Sequence, residues 1–191
     1  MSDQGEDEVT ETRWLTADQL AAWRGFVNLA LKLPAALEWQ LQRDSQLSFI
    51  EYYVLALLSD QPGRRMRMSD LAAAASSELS RLSHMVSRLE KRGIVRREPD
   101  PSDGRYTHAI LTDAGYTRLS EAAPGHVGSV RELFIDVLGP EELQTLHRCS
   151  DKIVGRIQGV KKPAGTTGVG RRRAPERARR ARGRPDPVAD D

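Results

Sequence analysis

A chain of 191 residues has room for one domain with tails, and an apolar share of 39% suffices to build a core. A single cysteine, Cys149, excludes an internal disulfide and fits a reducing compartment. Apolar runs such as residues 52–58 are far shorter than the roughly 20 residues that span a bilayer. The acidic N-terminus is not followed by the apolar segment of a secretory signal. We therefore expect a cytoplasmic protein with no membrane segment.

Basic charge is concentrated in two segments. Residues 161–191 carry ten Lys/Arg against four Asp/Glu, and residues 64–105 carry ten against six, although the net charge of the whole chain is only +2. This distribution is typical of a protein that offers one face to a polyanion and keeps its other faces acidic. Residues 159–191 contain almost no large apolar side chain, so they are expected to form a basic disordered tail. Residues 1–13 are expected to form an acidic disordered N-terminus.

Helical patterns dominate the part of the chain between these ends. Two capping boxes, Thr16 with Gln19 and Ser48 with Glu51, predict where the first and second helices begin. Pro34 lacks the N–H needed inside a helix, so a kink is expected near residue 33 of the first helix. The second helix is apolar nearly all round, which predicts a central place in the core.

The third and fourth predicted helices are separated by a short turn, as in a helix-turn-helix. Ser69 is expected to cap the third helix, and the fourth is predicted from about Ser77 to Arg92, with Gly93 just after its end. Periodicity gives the fourth helix two faces. The expected buried stripe comprises Leu79, Leu82, Val86 and Leu89. The expected polar stripe comprises Ser77, Arg81, His84 and Arg88.

This polar stripe has the chemistry needed to read the major groove of DNA. Arginine bonds guanine O6 and N7 with two hydrogen bonds, and serine and histidine donate or accept. The small side chains of Ser76, Ser77 and Ser80 allow the helix to approach the bases closely. An ordinary amphipathic surface helix with solvated charges remains an alternative at this point.

A basic hairpin follows the fourth helix. Residues 94–100 and 105–111 are predicted to form two strands joined by residues 101–104, where Gly104 is expected to supply a positive φ. Thr112 is then expected to cap a long helix from Asp113 to about Leu138. A last helix is predicted to begin at Pro140. A basic hairpin directly after a helix-turn-helix is typical of a wing.

Residues 68–115 resemble the MarR family of winged-helix transcriptional regulators. Three stretches carry the resemblance: "SRLEKRGIVRR" for the end of the recognition helix and the first wing strand, "DPSDGR" for the wing tip, and "ILTDAG" for the junction after the wing. The similar order of helices extends over residues 14–158. It implies a mainly α fold with a small β-wing, in which a winged helix-turn-helix at about residues 47–112 is flanked by N- and C-terminal dimerisation helices. The turn between the third and fourth helices lacks the glycine that the family more often has there.

The resemblance also implies a function. It predicts a sequence-specific DNA-binding regulator, a ligand-responsive repressor that binds a palindromic operator in double-stranded DNA as a homodimer, with no enzymatic activity, metal or cofactor. Arg105 matches the wing arginine that enters the minor groove, and Asp103 matches the residue that holds it. The positions that match the base-reading region are Ser80, Arg81, Ser83 and His84, and Ser77 precedes them. The remaining basic residues of this region are interpreted as phosphate contacts: Arg88, Arg92, Arg96 and Arg97.

Three alternatives remain open. An architectural nucleic-acid-binding protein dominated by the Arg-rich tail would need little from the winged domain. Cys149 fits a small residue buried at a dimer interface better than a redox sensor. Finally, four aromatic residues fit either core packing or a pocket for a small aromatic effector: Trp23, Trp39, Tyr52 and Tyr53.

Overall fold

The computed structural model describes residues 12–160, so the expectations for the acidic N-terminus and the basic tail lie outside the described residues. The chain divides into two compact units, with the boundary between Leu143 and Gln144. The helices in chain order are α1 (Ala17–Ser45), α2 (Phe49–Ser59), α3 (Met68–Ala74), α4 (Leu79–Lys91), α5 (Asp113–Val130) and α6 (Pro140–Val160). The strands are β1 (Arg65–Arg67), β2 (Val95–Pro99) and β3 (Thr107–Leu111). Within residues 12–160, no helix combines the length and the apolar character needed to cross a membrane.

The first two helices begin where their capping boxes predict. The Thr16 hydroxyl accepts a hydrogen bond from the backbone N–H of Gln19, and the Thr16 N–H donates to the Gln19 side chain at 3.0 Å. Ser48 and Glu51 form the same reciprocal pair at the start of α2. The expected kink does not interrupt α1, which continues helically through Pro34.

The start of α3 differs from the prediction. Ser69 does not cap this helix, because α3 begins two residues earlier than predicted, at Met68, and Arg67 holds the N-cap position without a side-chain hydrogen bond. The Ser69 hydroxyl instead donates to the Asp70 carboxylate at 3.3 Å. The strand β1 runs directly into α3, which leaves no separate capping residue between them.

A three-residue strand that the sequence did not reveal completes the sheet. Its order is β1-β3-β2, with both neighbouring pairs antiparallel. The predicted hairpin is confirmed in β2 and β3, where Val95 pairs with Leu111 and Pro99 with Thr107. The added strand β1 pairs Arg65 with Ile110. The wing is thereby attached to the chain segment that leads into α3.

The core of the first unit lies where α2, α3, α4 and the sheet meet. As predicted, α2 is central, because Val54, Leu55 and Leu58 are fully buried. They pack in one cluster with side chains from the other elements: Leu71, Leu82, Val86, Leu89, Val95 and Leu111. This cluster fixes α4 against the rest of the winged domain and leaves its opposite side to solvent.

The helix after the wing begins as predicted, with Thr112 as its cap. The Thr112 hydroxyl accepts from the N–H of Gly115 at 3.0 Å. The α-helical part of α5 ends at Val130 rather than near residue 138, and a π-helical turn at Arg131–Ile135 follows. The last helix begins at Pro140, as predicted.

Candidate nucleic-acid interface

The helix α4 buries one face, but not the complete stripe that periodicity predicted. Leu82, Val86 and Leu89 are fully buried, whereas Leu79 is 52% exposed. Met85 takes the fourth place in the core. The reason is the position along the helix: at about 100° per residue Leu79 lies only about 20° from Val86, but it is the first residue of α4, at the end of the buried face. The assignment of Leu79 to the core was therefore wrong.

The opposite face of α4 is open to solvent and polar. Ser80, Arg81, His84 and Arg88 are exposed, and Ser83 is partly exposed. Ser77, predicted to begin this helix and its polar stripe, is partly exposed but lies in the turn before α4, whose N-cap is Glu78. The Arg81 guanidinium lies 3.9 Å from the Glu78 carboxylate, a loose contact between two exposed groups. This face carries the residue types that the sequence analysis assigned to DNA bases.

The turn before α4 holds its first residues in place through an unusual backbone conformation. Ser76 has φ 49°, in the left-handed region that favours glycine. The next residue, Ser77, donates its N–H to the carbonyl of Ala72 at 2.9 Å. The turn therefore closes without the glycine that the family more often has, with a serine in a strained position.

The tip of the wing presents a single arginine. The Arg105 side chain is 86% exposed, and its guanidinium donates to the Asp103 carboxylate through Nε at 3.0 Å and Nη2 at 2.7 Å. These hydrogen bonds hold the pKa of Asp103 below its ordinary value and raise the pKa of Arg105. The pair fixes the direction of Arg105 while leaving the side chain accessible.

The wing turn is organised by an aspartate rather than by Gly104, which does not have the expected positive φ. Asp100 is buried, and its Oδ1 accepts from the Ser102 hydroxyl at 2.6 Å, from the Ser102 N–H at 2.8 Å and from the Asp103 N–H at 3.3 Å. Side-chain capping of this kind closes the turn without glycine. The prediction for Gly104 was therefore wrong, although the turn lies where it was expected.

The second oxygen of Asp100 ties the wing to β1. Arg67 donates to Oδ2 through Nε at 3.2 Å and Nη2 at 3.1 Å, and its guanidinium lies 4.7 Å from the centre of the Tyr106 ring. Hydrogen bonds from Ser102 first, and then from Arg67, hold the pKa of Asp100 well below its usual range. Sequence reasoning missed both residues, because they are 33 positions apart and no local pattern links them.

Two expected phosphate contacts have partners within the chain. Arg97 donates to the Glu90 carboxylate through Nε at 2.9 Å and Nη2 at 2.7 Å, which lowers the pKa of Glu90. Arg96 is paired with Glu98 on the same strand. Each guanidinium is about a third to a half exposed, so each retains donors for a second anion.

The other two expected phosphate contacts, Arg88 and Arg92, face Glu51, the capping-box residue of α2. The Glu51 carboxylate is 3.9 Å from Arg88 and 3.6 Å from Arg92. Arg92 also donates to the carbonyl of Gln46, which follows α1, at 3.0 Å. These contacts join the C-terminal end of α4 to the junction between α1 and α2. Contact of the four arginines with phosphate remains a prediction.

A groove of about 260 Å³ separates α4 from the wing. On the α4 side, Leu79 and Ser83 line this groove. The opposite wall is basic and aromatic, with Arg67, Arg105 and Tyr106.

The four aromatic residues that left an alternative open do not behave alike. Trp23, Trp39 and Tyr53 are exposed in the single chain, so core packing within one chain is wrong for them. Tyr52 is partly buried, and its ring centre lies 4.3 Å from that of His126 of α5. Burial lowers the pKa of His126 and raises that of Tyr52. Cys149 is also exposed in the single chain, and its burial at a dimer interface stays a prediction.

Comparison with known proteins identifies relatives of this fold. A protein-family sequence model described as "MarR family" matches residues 45–105 of the chain. The transcriptional regulator HosA of Escherichia coli O111:H- is 40% identical over 93 residues, which cover 48% of this chain and 66% of HosA. The regulator MhqR of Bacillus subtilis strain 168 is 32% identical over 97 residues, which cover 49% of this chain and 63% of MhqR. The chain thus spans just under two thirds of the length of these curated relatives.

Two solved structures match over most of their length. AbsC, a MarR family transcriptional regulator from Streptomyces coelicolor, is 42% identical with a TM-score of 0.74, covering 78% of this chain and 99% of AbsC. Sco3205 from the same organism, a MarR family regulator solved in complex with DNA, is 44% identical with a TM-score of 0.73, covering 81% of this chain and 94% of Sco3205.

A winged helix-turn-helix with an exposed recognition helix and a wing arginine defines a DNA-binding regulator of transcription. The chain belongs to the MarR family of transcriptional regulators. The predicted family and the predicted fold class, mainly α with a small β-wing, are thereby confirmed. The relatives are transcriptional regulators and not enzymes, as expected for this chain.

Proposed function

We propose that this protein is a sequence-specific regulator that binds a palindromic operator in double-stranded DNA as a homodimer. The observation that carries the proposal is that α4 packs one face into the core and leaves the opposite, polar face exposed, with the exposed Arg105 on the wing that follows it. Helices of this class enter the major groove, and a wing arginine is attracted to the negative potential of a narrow minor groove. Sco3205, which shares 44% identity, was solved with DNA bound.

Within this proposal, the contacts have different roles. Residues on the exposed face of α4 read bases, and Asp103 holds Arg105 for the minor groove. The base-reading set is Ser80, Arg81, Ser83 and His84, and Ser77, just before α4, belongs to the same DNA-binding surface. The four arginines Arg88, Arg92, Arg96 and Arg97 contact phosphates with the donors that their carboxylate partners leave free.

Dimerisation is supported by apolar side chains left exposed on two helices. Trp23 and Phe26 of α1, and Trp14 just before this helix, are each more than half exposed. In the second unit, Ile153 and Ile157 of α6 are each 50% exposed. Several large apolar side chains exposed on one protein mark an interface, and a second copy of the chain would cover these side chains. We assign residues 14–158 to this dimeric regulator, with the DNA-binding core at about residues 47–112.

Ligand-responsive repression is proposed from a partly buried cluster between α1, α2 and α5. Gln40 is 4% exposed, and neither its Oε1 nor the Nδ1 of His126 has a hydrogen-bond partner among the described residues. An unpartnered His126 nitrogen beside the Tyr52 ring, together with the unpartnered oxygen of Gln40, suits a small aromatic effector with a hydrogen-bonding group. A ligand at this place would act on α2, whose Glu51 faces the end of α4.

The proposal is tested by selecting DNA fragments from a random pool with the full-length protein and sequencing those that bind. A palindromic motif, bound far more tightly than scrambled DNA at physiological salt, is the expected result. Sedimentation at micromolar concentration should give a dimer. Equal affinity for the selected and scrambled duplexes would instead favour the architectural alternative, and a stable monomer would contradict the proposed assembly.

A further inference from the structure

An exposed leucine stands at the first position of the recognition helix. Leu79 follows the N-cap Glu78 and is 52% exposed, although Leu82 and Val86 on the same helix are fully buried. The neighbours of Leu79 on the exposed side of the helix are serines, which allow close approach. A single exposed apolar side chain is common on protein surfaces. Leu79 is distinguished by its position, because it lies at the N-terminal end of the recognition helix and lines the groove beside the wing.

The surroundings of Leu79 favour a nucleic acid over an apolar protein partner. Leu79 and Ser83 form one wall of the groove between α4 and the wing, and Arg67 and Arg105 contribute to its other walls. An apolar protein surface placed in this groove would desolvate these guanidinium groups, whereas a polyanion pairs with them. The occupant that fits is therefore anionic, with an apolar group at the position that Leu79 reaches.

B-DNA offers one apolar group in its major groove, the C5 methyl group of thymine. The N-terminal residues of a recognition helix are those that reach the base edges. We propose that Leu79 determines part of the sequence preference by contacting a thymine methyl group in each half-site. This inference rests on the proposed DNA binding and adds an apolar contact to the polar ones.

The test removes the methyl group and nothing else. A duplex selected with the full-length protein is resynthesised with deoxyuridine in place of each thymidine in turn, in one half-site. For the wild-type protein, one substitution should lower affinity about fourfold, equivalent to ~0.8 kcal/mol for one buried methyl group. For Leu79→Ala, the same duplex should bind as well as its thymidine counterpart. Leu79→Met keeps an apolar contact and should retain the sensitivity.

Two controls make the outcome specific. Lys91→Ala removes an exposed charge at the end of α4 and should weaken both duplexes equally, leaving the uridine effect at about fourfold. Thermal denaturation should show no large loss of stability for Leu79→Ala, because Leu79 lies outside the buried cluster. If no uridine position affects the wild type, or if Leu79→Ala responds as the wild type does, the inference is wrong. A wild type that does not prefer the selected duplex over scrambled DNA would instead contradict the proposed function itself.

Discussion

Gly115 lies where α5 passes closest to the wing, and replacing it with alanine should destabilise the protein strongly. A Cβ atom at this position would lie 2.1 Å from the carbonyl oxygen of Ile94 and 2.7 Å from Leu111 Cδ1. The same carbonyl accepts a hydrogen bond from the N–H of Thr112 at 3.1 Å, and the Thr112 hydroxyl lies 2.7 Å from the carbonyl of Gly93 and 3.0 Å from that of Ile94, which share its one proton. The first turn of α5 is therefore held against the backbone just before β2 at a distance that only glycine permits.

The expected loss of stability follows from these distances. Contacts of a Cβ atom below 3.0 Å are essentially never observed, so the helix and the Ile94 carbonyl must separate by about 0.9 Å. Overpacking of this kind costs about 1–3 kcal/mol, and weakening the hydrogen bond from the Thr112 N–H adds about 1 kcal/mol. We expect a decrease of about 2–4 kcal/mol in the free energy of unfolding, or roughly 5–15 °C in Tm for a chain of this length.

The matched control is Gly128→Ala in the same helix. A Cβ atom there meets nothing within 4 Å, so the variant should gain about 0.5–1 kcal/mol from helix propensity. Urea and thermal denaturation of the full-length proteins, compared at one protein concentration, measure both changes. A Gly115→Ala variant as stable as the wild type would refute the close approach of α5 to Ile94.

Four further results are expected. Ser76→Gly should raise the free energy of unfolding by about 1 kcal/mol in urea denaturation, because φ 49° is unfavourable for serine. Arg81→Ala should lower operator preference by about 1–3 kcal/mol in competition binding, whereas Arg92→Ala should weaken binding to all sequences alike and also lower Tm. Deleting residues 161–191 should reduce the salt dependence of binding to operator and random DNA alike, because their excess positive charge releases counterions on any duplex. The pKa of Asp103 is lowered by Arg105, so this pair should stabilise the wing at pH values above the ordinary carboxyl pKa. The stabilisation should be lost as the pH falls through the lowered pKa, which an NMR titration of Asp103 measures.

Features set by neighbouring residues were predictable from the sequence. The capping boxes at Thr16 and Ser48 and the cap at Thr112 each join residues three positions apart, so a local pattern defines them. The two wing strands and the turn between them were also found, because charge, alternation and turn residues coincide there.

Features set by distant residues were not predictable. The strand β1 has only three residues, and it exists because Arg65 pairs with Ile110. The wing turn is tied to β1 by Arg67, which donates to Asp100 from 33 positions away. Leu79 fits the apolar period of α4, but its burial depends on how far the neighbouring elements extend beneath the first turn, which the sequence does not encode locally.

The candidate site shows the same division, with a consequence for how DNA would be bound. The exposed face of α4 was predictable from periodicity, and the pairing of Arg105 with Asp103 from the family resemblance. The pairing of the four arginines assigned to phosphates with acidic residues of the chain was not predicted. Because Arg97 is held by Glu90 and Arg105 by Asp103, the guanidinium groups of both arginines are already oriented before DNA binds. Ordering a free arginine side chain costs up to about 2 kcal/mol. Pairing with a carboxylate in the free protein removes part of that entropic cost, but the negative carboxylate also repels the DNA phosphates. The balance favours DNA where the guanidinium retains donors for both anions, as the exposed Arg105 does at the wing tip.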